Sequence, residues 1–204
     1  MSIEKIYERF GFIFKNFPFD SFLKFAVIRD PLEWVISWYN FRSRPSLKRS
    51  QLQNKSAYAG NLSFNEFWES NKGEFFLLPQ TNRFFSPTQP HVKVNYIINQ
   101  RTFLEDFEVV KEVLDLGSVK IPKKNRSLSR ITSTEVDTSV KQDIQSFYQA
   151  DYELIESLAS FNDEGIKSFR SASKSNKSEH RAQRSPEEIL SVIRYRLGVI
   201  LQRS

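Results

Sequence analysis

Two short apolar runs and a series of stripes spaced by three and four residues organise the chain. Phe25-Ala26-Val27-Ile28 is unbroken, the pattern of a strand buried on both faces of a parallel sheet, and Val94-Asn95-Tyr96-Ile97-Ile98-Asn99 is a second buried strand. Ile3 to Phe14 reads as a helix, with Ile3, Ile6, Tyr7, Phe10 and Phe14 near one face, and Phe17-Pro18-Phe19-Asp20 as a turn after it. Directly after the first strand, Asp30 is a good N-cap and Pro31 suits the first helical position, where no amide hydrogen is needed. The helix that follows shows one broad apolar face of Trp34, Trp38 and Phe41 with Val35 and Tyr39. Ser63 and Glu66 have capping-box spacing and open a short helix through Phe67 and Trp68. Thr102 and Glu105 repeat that spacing and start a helix through Val109, Val110, Val113 and Leu114 that stops at Gly117. Glu135 to Phe161 makes one long amphipathic helix with Val136, Val140, Ile144, Phe147, Tyr148, Ile155 and Leu158 on one side. Ser185-Pro186-Glu187-Glu188 starts a last helix through Ile189, Ile193, Leu197, Ile200 and Leu201.

Strands alternating with helices make this an α/β chain with a central parallel sheet flanked by helices. Its 204 residues are enough for one domain with a proper core, and 19 phenylalanines against one methionine predict a core built from rings. The organisation expected is a domain over residues 1–161, a basic Ser/Lys-rich linker over 162–185 and an amphipathic helix over 186–204. The net charge of +6 is uneven: residues 162–204 hold 9 Lys/Arg and 5 Asp/Glu, leaving 21 against 19 for the body. A body so nearly neutral argues against a nucleic-acid binder. The tail's Arg194, Arg196 and Arg203 suit an anionic membrane surface, whereas packing back on the domain is the commoner outcome for such a helix. The absence of cysteine excludes disulfides and thiolate metal sites, and no apolar stretch is long enough to span a bilayer. With no signal-peptide pattern at the start, a cytoplasmic protein is expected, peripheral at the membrane if the tail docks there.

The joint between the first strand and its helix is where chemistry concentrates. A strand running straight into a helix with arginine at the turn favours a phosphate: helix amides and dipole attract the anion, and the guanidinium can bind two of its oxygens. The same residues also describe an ordinary strand–turn–helix with a surface arginine. Arg29-Asp30-Pro31, Ser37 and Tyr39 resemble the 3′-phosphate-binding motif R-[DN]-P-x-x-R-x-x-S-x-Y of sulfotransferases that use 3′-phosphoadenosine 5′-phosphosulfate (PAPS). The resemblance implies that Arg29 and Ser37 hold the cofactor's 3′-phosphate. Trp34 stands where the motif has its second arginine.

Further stretches resemble the same family in order. Pro79-Gln80 is similar to a pair that carbohydrate sulfotransferases carry near the acceptor or cofactor cleft, which makes Pro79-Gln80 and Arg83 acceptor-side candidates beside the alternative of a buried aromatic turn. Ile97-Ile98 followed by Phe103-Leu104-Glu105-Asp106-Phe107 matches the layout of a hydrophobic strand and its helix, with Gln100-Arg101 where a glutamate is usual. Pro122 to Ser127 resembles a Pro-x-x-Asn-basic-Ser loop that closes over the nucleotide, so Arg126 is assigned to a cofactor phosphate, with a mobile basic loop as the alternative. Tyr148, Asp151, Tyr152, Leu154 and Ile155 resemble the terminal helix, where they belong to the core.

The family resemblance implies a P-loop-NTPase-like fold, no metal, and transfer of a sulfuryl group from PAPS to a hydroxyl of a carbohydrate or glycolipid. The 5′-phosphosulfate loop, Pro-Lys-x-Gly-[ST]-[ST], has no match in this sequence, so the first strand and that loop are expected to be missing. The general base has no assignment either: His91 and His180 read as surface residues, and nothing marks Glu4 or Glu8. The alternative expectation is therefore an inactive remnant that still binds the 3′-phosphorylated nucleotide or a protein partner.

Overall fold

The computed structural model describes residues 2–15, 18–48, 58–117, 119 and 131–179. Helix α1 (Ile3–Phe14) begins with Ser2 accepting from the Lys5 amide. Strand β1 (Phe25–Ile28) leads at once into α2 (Pro31–Arg42), whose start is capped by the Asp30 side chain with Pro31 in the first turn, as the sequence predicts. The short α3 (Pro45–Lys48) follows, and α4 (Phe64–Asn71) forms its capping box between Ser63 and Glu66. Next come α5 (Thr81–Phe84), β2 (Tyr96–Asn99) and α6 (Phe103–Leu114).

The two strands pair in parallel, Phe25 opposite Tyr96 and Ile28 opposite Asn99. A parallel pair needs a crossover, and α2 to α5 supply it. On one face Ile28 and Ile97 pack with Ile3, Phe19, Phe84, Val92, Val94, Leu154 and Leu158. On the other, Tyr96 and Ile98 are covered by Val110, Phe103 and Phe107 of α6. Helix α6 lies over β2, so β1 is not buried on both faces: Phe25 and Val27 remain 44% and 42% exposed.

The larger core joins Val35, Ile36 and Tyr39 of α2 to Phe64, Phe67 and Trp68 of α4, and to Leu77, Val140, Ile144 and Tyr148. The predicted Trp34/Trp38/Phe41 face is thus displaced. Val35, Ile36, Tyr39 and Asn40 point inward, while Trp34 and Trp38 sit half-buried at the margin and Phe41 is exposed. Cations cover the marginal rings: Arg42 lies 3.8 Å from the Phe76 centroid, Arg83 5.2 Å from Trp34 and Arg44 5.0 Å from Phe41. Such stacking stabilises a ring that stays partly in water.

Three further expectations are corrected. The Thr102 side chain makes no capping bond to α6 but donates to Asp106, and the helix stops at Asp115 in left-handed backbone, two residues before Gly117. The single helix over Glu135–Phe161 is three: α7 (Thr138–Phe147), α8 (Gln149–Glu156) and α9 (Leu158–Glu179). The first break falls at Tyr148, whose hydroxyl donates to the Leu77 carbonyl; at the second, Ser157 donates back to Glu153 and Leu154 carbonyls, a pattern that bends helices. Finally, α9 carries residues 162–179 as helix where a linker is predicted. Its first half is held by the sheet. The Asn162 amide pairs with both backbone groups of Ile97 (2.8 and 2.9 Å), Ile166 enters the cluster under α6, and Gly165 runs against the Asn95 carbonyl, leaving no room for a side chain. Residues 180–204, with the expected last helix, lie outside the described residues, and no described helix is long and apolar enough to cross a membrane.

Candidate functional site

The end of β1 places Arg29, and two turns of α2 place Glu33, Ile36, Ser37 and Asn40 on one flank of the helix. These residues line a cavity of about 250 Å³ closed on the far side by Ile131, Thr132 and Ser133. Arg29 and Ser37, separated by eight positions, are therefore brought together, because positions four apart on a helix stack on one face. The Arg29 guanidinium reaches Glu33 through Nη2 at 3.3 Å, and its side chain keeps 28% exposure. Its Nε is buried and takes no partner among the described residues. Burying such a donor unpaired is costly, and the exposed part of the guanidinium is what the cavity presents.

The helix N-terminus itself is occupied. Asp30 accepts from the Glu33 amide at 3.1 Å, and Arg101 pairs with Asp30 at 3.4 Å. Arg29 and Ser37 accordingly lie along the flank of α2, away from the amide that Asp30 occupies. Trp34 is not part of the cavity wall; it stacks edge-on with Trp38 and under Arg83.

Side-chain amides fix both walls. Gln80 Oε1 accepts from the Arg29 amide at 3.0 Å and its Nε2 donates to the Arg29 carbonyl at 2.7 Å. Asn40 does the same for Ile131, donating to the carbonyl and accepting from the amide, both at 3.2 Å. Behind Gln80 stands Asp151, fully buried on α8. Its carboxylate accepts from the Gln80 and Thr81 amides at 2.8 and 2.9 Å and from Gln80 Nε2 at 3.4 Å. Asp151 thus caps α5 from another helix. Burial, together with the negative charge of Asp151, pushes the Tyr148 phenol well above its ordinary range. On the Ile131 side, Thr132 and Glu135 form a capping box that holds the turn Ser133–Glu135.

A family model described as the sulfotransferase family matches residues 13–156. The chain belongs to that family. The matched span holds every cavity residue together with Gln80 and Asp151. No curated protein matches the chain, and no solved structure does.

The remaining sequence candidates fall elsewhere. Gln80 is 3% exposed and spends its amide on Arg29 and Asp151, so it is not open to an acceptor. Arg83 donates to the Phe75 and Phe76 carbonyls between two rings. Arg126 and His180 lie outside the described residues. His91 is exposed and meets the Tyr7 ring edge-on. Glu4 accepts from Ser86 and Thr88, bonds that hold its carboxyl below the usual range, so it fastens the turn after Phe85. Sequence reading missed Asn40, Ile131, Thr132 and Ser133 as cavity residues. Thr132 and Glu135 carried a signal, the capping-box spacing; Asn40 carried none, because its partner lies 91 positions away.

Proposed function

We propose that the sulfuryl donor is PAPS and that the cavity between α2 and residues 131–133 receives its 3′-phosphate. Membership of the family supports sulfuryl transfer in general. The single observation that carries the finer reading is the partly exposed Arg29 side chain in a cavity it shares with Ser37. A phosphate there accepts from the guanidinium in the two-bond geometry arginine offers. Ser37 adds a hydroxyl donor from the second turn of α2. Arg126 is included as a further cation by resemblance of its Pro-x-x-Asn-basic-Ser stretch. The acceptor in this reading is a hydroxyl of a carbohydrate or glycolipid, attacking sulfur in line as the nucleotide leaves.

A second reading is binding without transfer. It is favoured by one sequence fact: no Pro-Lys-x-Gly-[ST]-[ST] stretch occurs in the chain. Sulfuryl transfer develops charge on the leaving phosphate, and fixed cations there are worth orders of magnitude in rate.

Calorimetry with adenosine 3′,5′-bisphosphate and adenosine 5′-monophosphate tests the binding claim. The bisphosphate is expected to bind at least tenfold tighter, and Arg29→Ala is expected to abolish that margin, since a charge-assisted pair contributes about 1.5–3 kcal/mol. Equal binding of the two nucleotides refutes the assignment. Release of the bisphosphate from PAPS in the presence of a glycan pool then separates transfer from binding alone.

A further inference from the structure

Arg29 can grip a phosphate with two nitrogens only if its backbone holds still, and it stands on the unpaired side of a two-stranded sheet. Its amide and carbonyl face away from β2: the neighbouring ladder bond uses the Ile28 carbonyl, which accepts from Gln100 at 2.8 Å. Water at that position would leave the end of β1 free to fray. Instead the Gln80 side chain lies against it as a third strand would, one acceptor for the amide and one donor for the carbonyl.

The sense of that amide is set by the Arg29 backbone and reinforced by Asp151. Nε2 faces both the Arg29 carbonyl and the Asp151 carboxylate; Oε1 faces an N–H. A flipped amide would set its oxygen against two acceptors and its NH₂ against a donor, so one orientation survives. Asp151 also accepts from the Gln80 and Thr81 amides, which fixes the backbone from which Gln80 projects. With Arg83 and Tyr148 tying down the carbonyls of Phe75, Phe76 and Leu77, the segment from 75 to 81 is anchored along its length. A buried carboxylate with no ion pair among the described residues is an expensive group to retain for packing alone.

We propose that Gln80, oriented by Asp151, is a positioning residue that aims the Arg29 guanidinium into the cavity and sets the preference for a 3′-phosphorylated nucleotide. The inference rests on the reading that Arg29 meets the 3′-phosphate. It makes the 75–81 segment part of the nucleotide site, though none of its residues touches ligand.

The test uses the full chain with Gln80→Met, which keeps length and removes both bonds, and Asp151→Asn, which sets a donor against one of the Gln80 and Thr81 amides. For each, the ratio of affinities for adenosine 3′,5′-bisphosphate and adenosine 5′-monophosphate is measured beside the thermal midpoint. The ratio is expected to fall about tenfold in both variants, with the monophosphate affinity little changed. A role confined to stability lowers the midpoint and leaves the ratio intact, and that outcome overturns the inference. Hydrogen exchange on the unliganded wild type gives a reading that needs no variant: the Arg29 amide is expected to be protected like the β1–β2 ladder, and rapid exchange there overturns the proposal. A wild type with no preference for the 3′-phosphate overturns the nucleotide reading and this inference together. A wild-type preference retained by folded Gln80→Met overturns the inference alone.

Discussion

Glu33 lines the cavity beside Arg29, the cation assigned to the phosphate in the proposed reading. Its carboxylate is 3.3 Å from Arg29 Nη2 and its side chain is 36% exposed. A pair that open to water is worth about 0.2–1 kcal/mol, so it holds Arg29 only lightly. A bound 3′-phosphate would bring a second anion to the same guanidinium, about 6 Å from Glu33. At an effective dielectric of about 20, two unit charges at that separation repel by about 2.8 kcal/mol. Salt and solvent access remove roughly half, leaving about 1.4 kcal/mol, a factor of ten in affinity. Glu33→Gln keeps the side-chain shape and an acceptor for Arg29 and deletes the charge. It is expected to tighten adenosine 3′,5′-bisphosphate about tenfold at low salt and by less at high salt. Adenosine 5′-monophosphate, which sends nothing to Arg29, is expected to change little. Weaker binding of the bisphosphate, or an equal gain for both nucleotides, would refute the placement of the phosphate beside Arg29.

Two further predictions concern the frame around the site. Gly165→Ala drives a methyl group into the Asn95 backbone carbonyl, a clash that puts the overpacking cost at about 2–3 kcal/mol, above the helix-propensity gain of about 1 kcal/mol. Its thermal midpoint is expected to fall by about 2–8 °C, and a rise would show that α9 does not press on β2. Asp143 accepts from Lys72 at 2.6 Å and from the indole of buried Trp68 at 2.7 Å, hydrogen bonds that hold its carboxyl below the ordinary 3.8. A depressed carboxyl stabilises the fold above its unfolded value and loses that contribution as pH falls through the folded one. The wild type should therefore lose stability relative to Asp143→Asn below about pH 4, with a difference of about 1 kcal/mol or less at neutral pH given the exposure. Parallel acid-denaturation curves for the two proteins would refute the assignment.

What was legible in the sequence is local in origin. Asp30 and Pro31 start α2, Ser63 and Glu66 start α4, and the apolar run 25–28 is a strand, because each signal involves neighbours in the chain. Arg29 and Ser37 were paired by the family resemblance, whose motif is itself local in the chain. Burial of β1 could not be read, since it depends on where α6 settles, and the breaks at Tyr148 and Ser157 follow from distant carbonyls and back-bonding hydroxyls. Gln80 looked like an acceptor contact because a glutamine after a proline gives no hint of a partner 51 positions earlier. Asp151 was legible as core but not as the acceptor that orients Gln80.

The side-chain amides that fasten this site also order events in time. They join positions 29 with 80, 40 with 131, and 80 with 151, separations of 51, 91 and 71. Contacts so far apart in the chain close large loops, and loop closure must precede any reward from the contact. The helices can form from their own neighbours; the cavity must wait for nearly the whole matched span to be in place. A ligand that bound there would therefore act on the folding equilibrium itself, by holding these long closures shut.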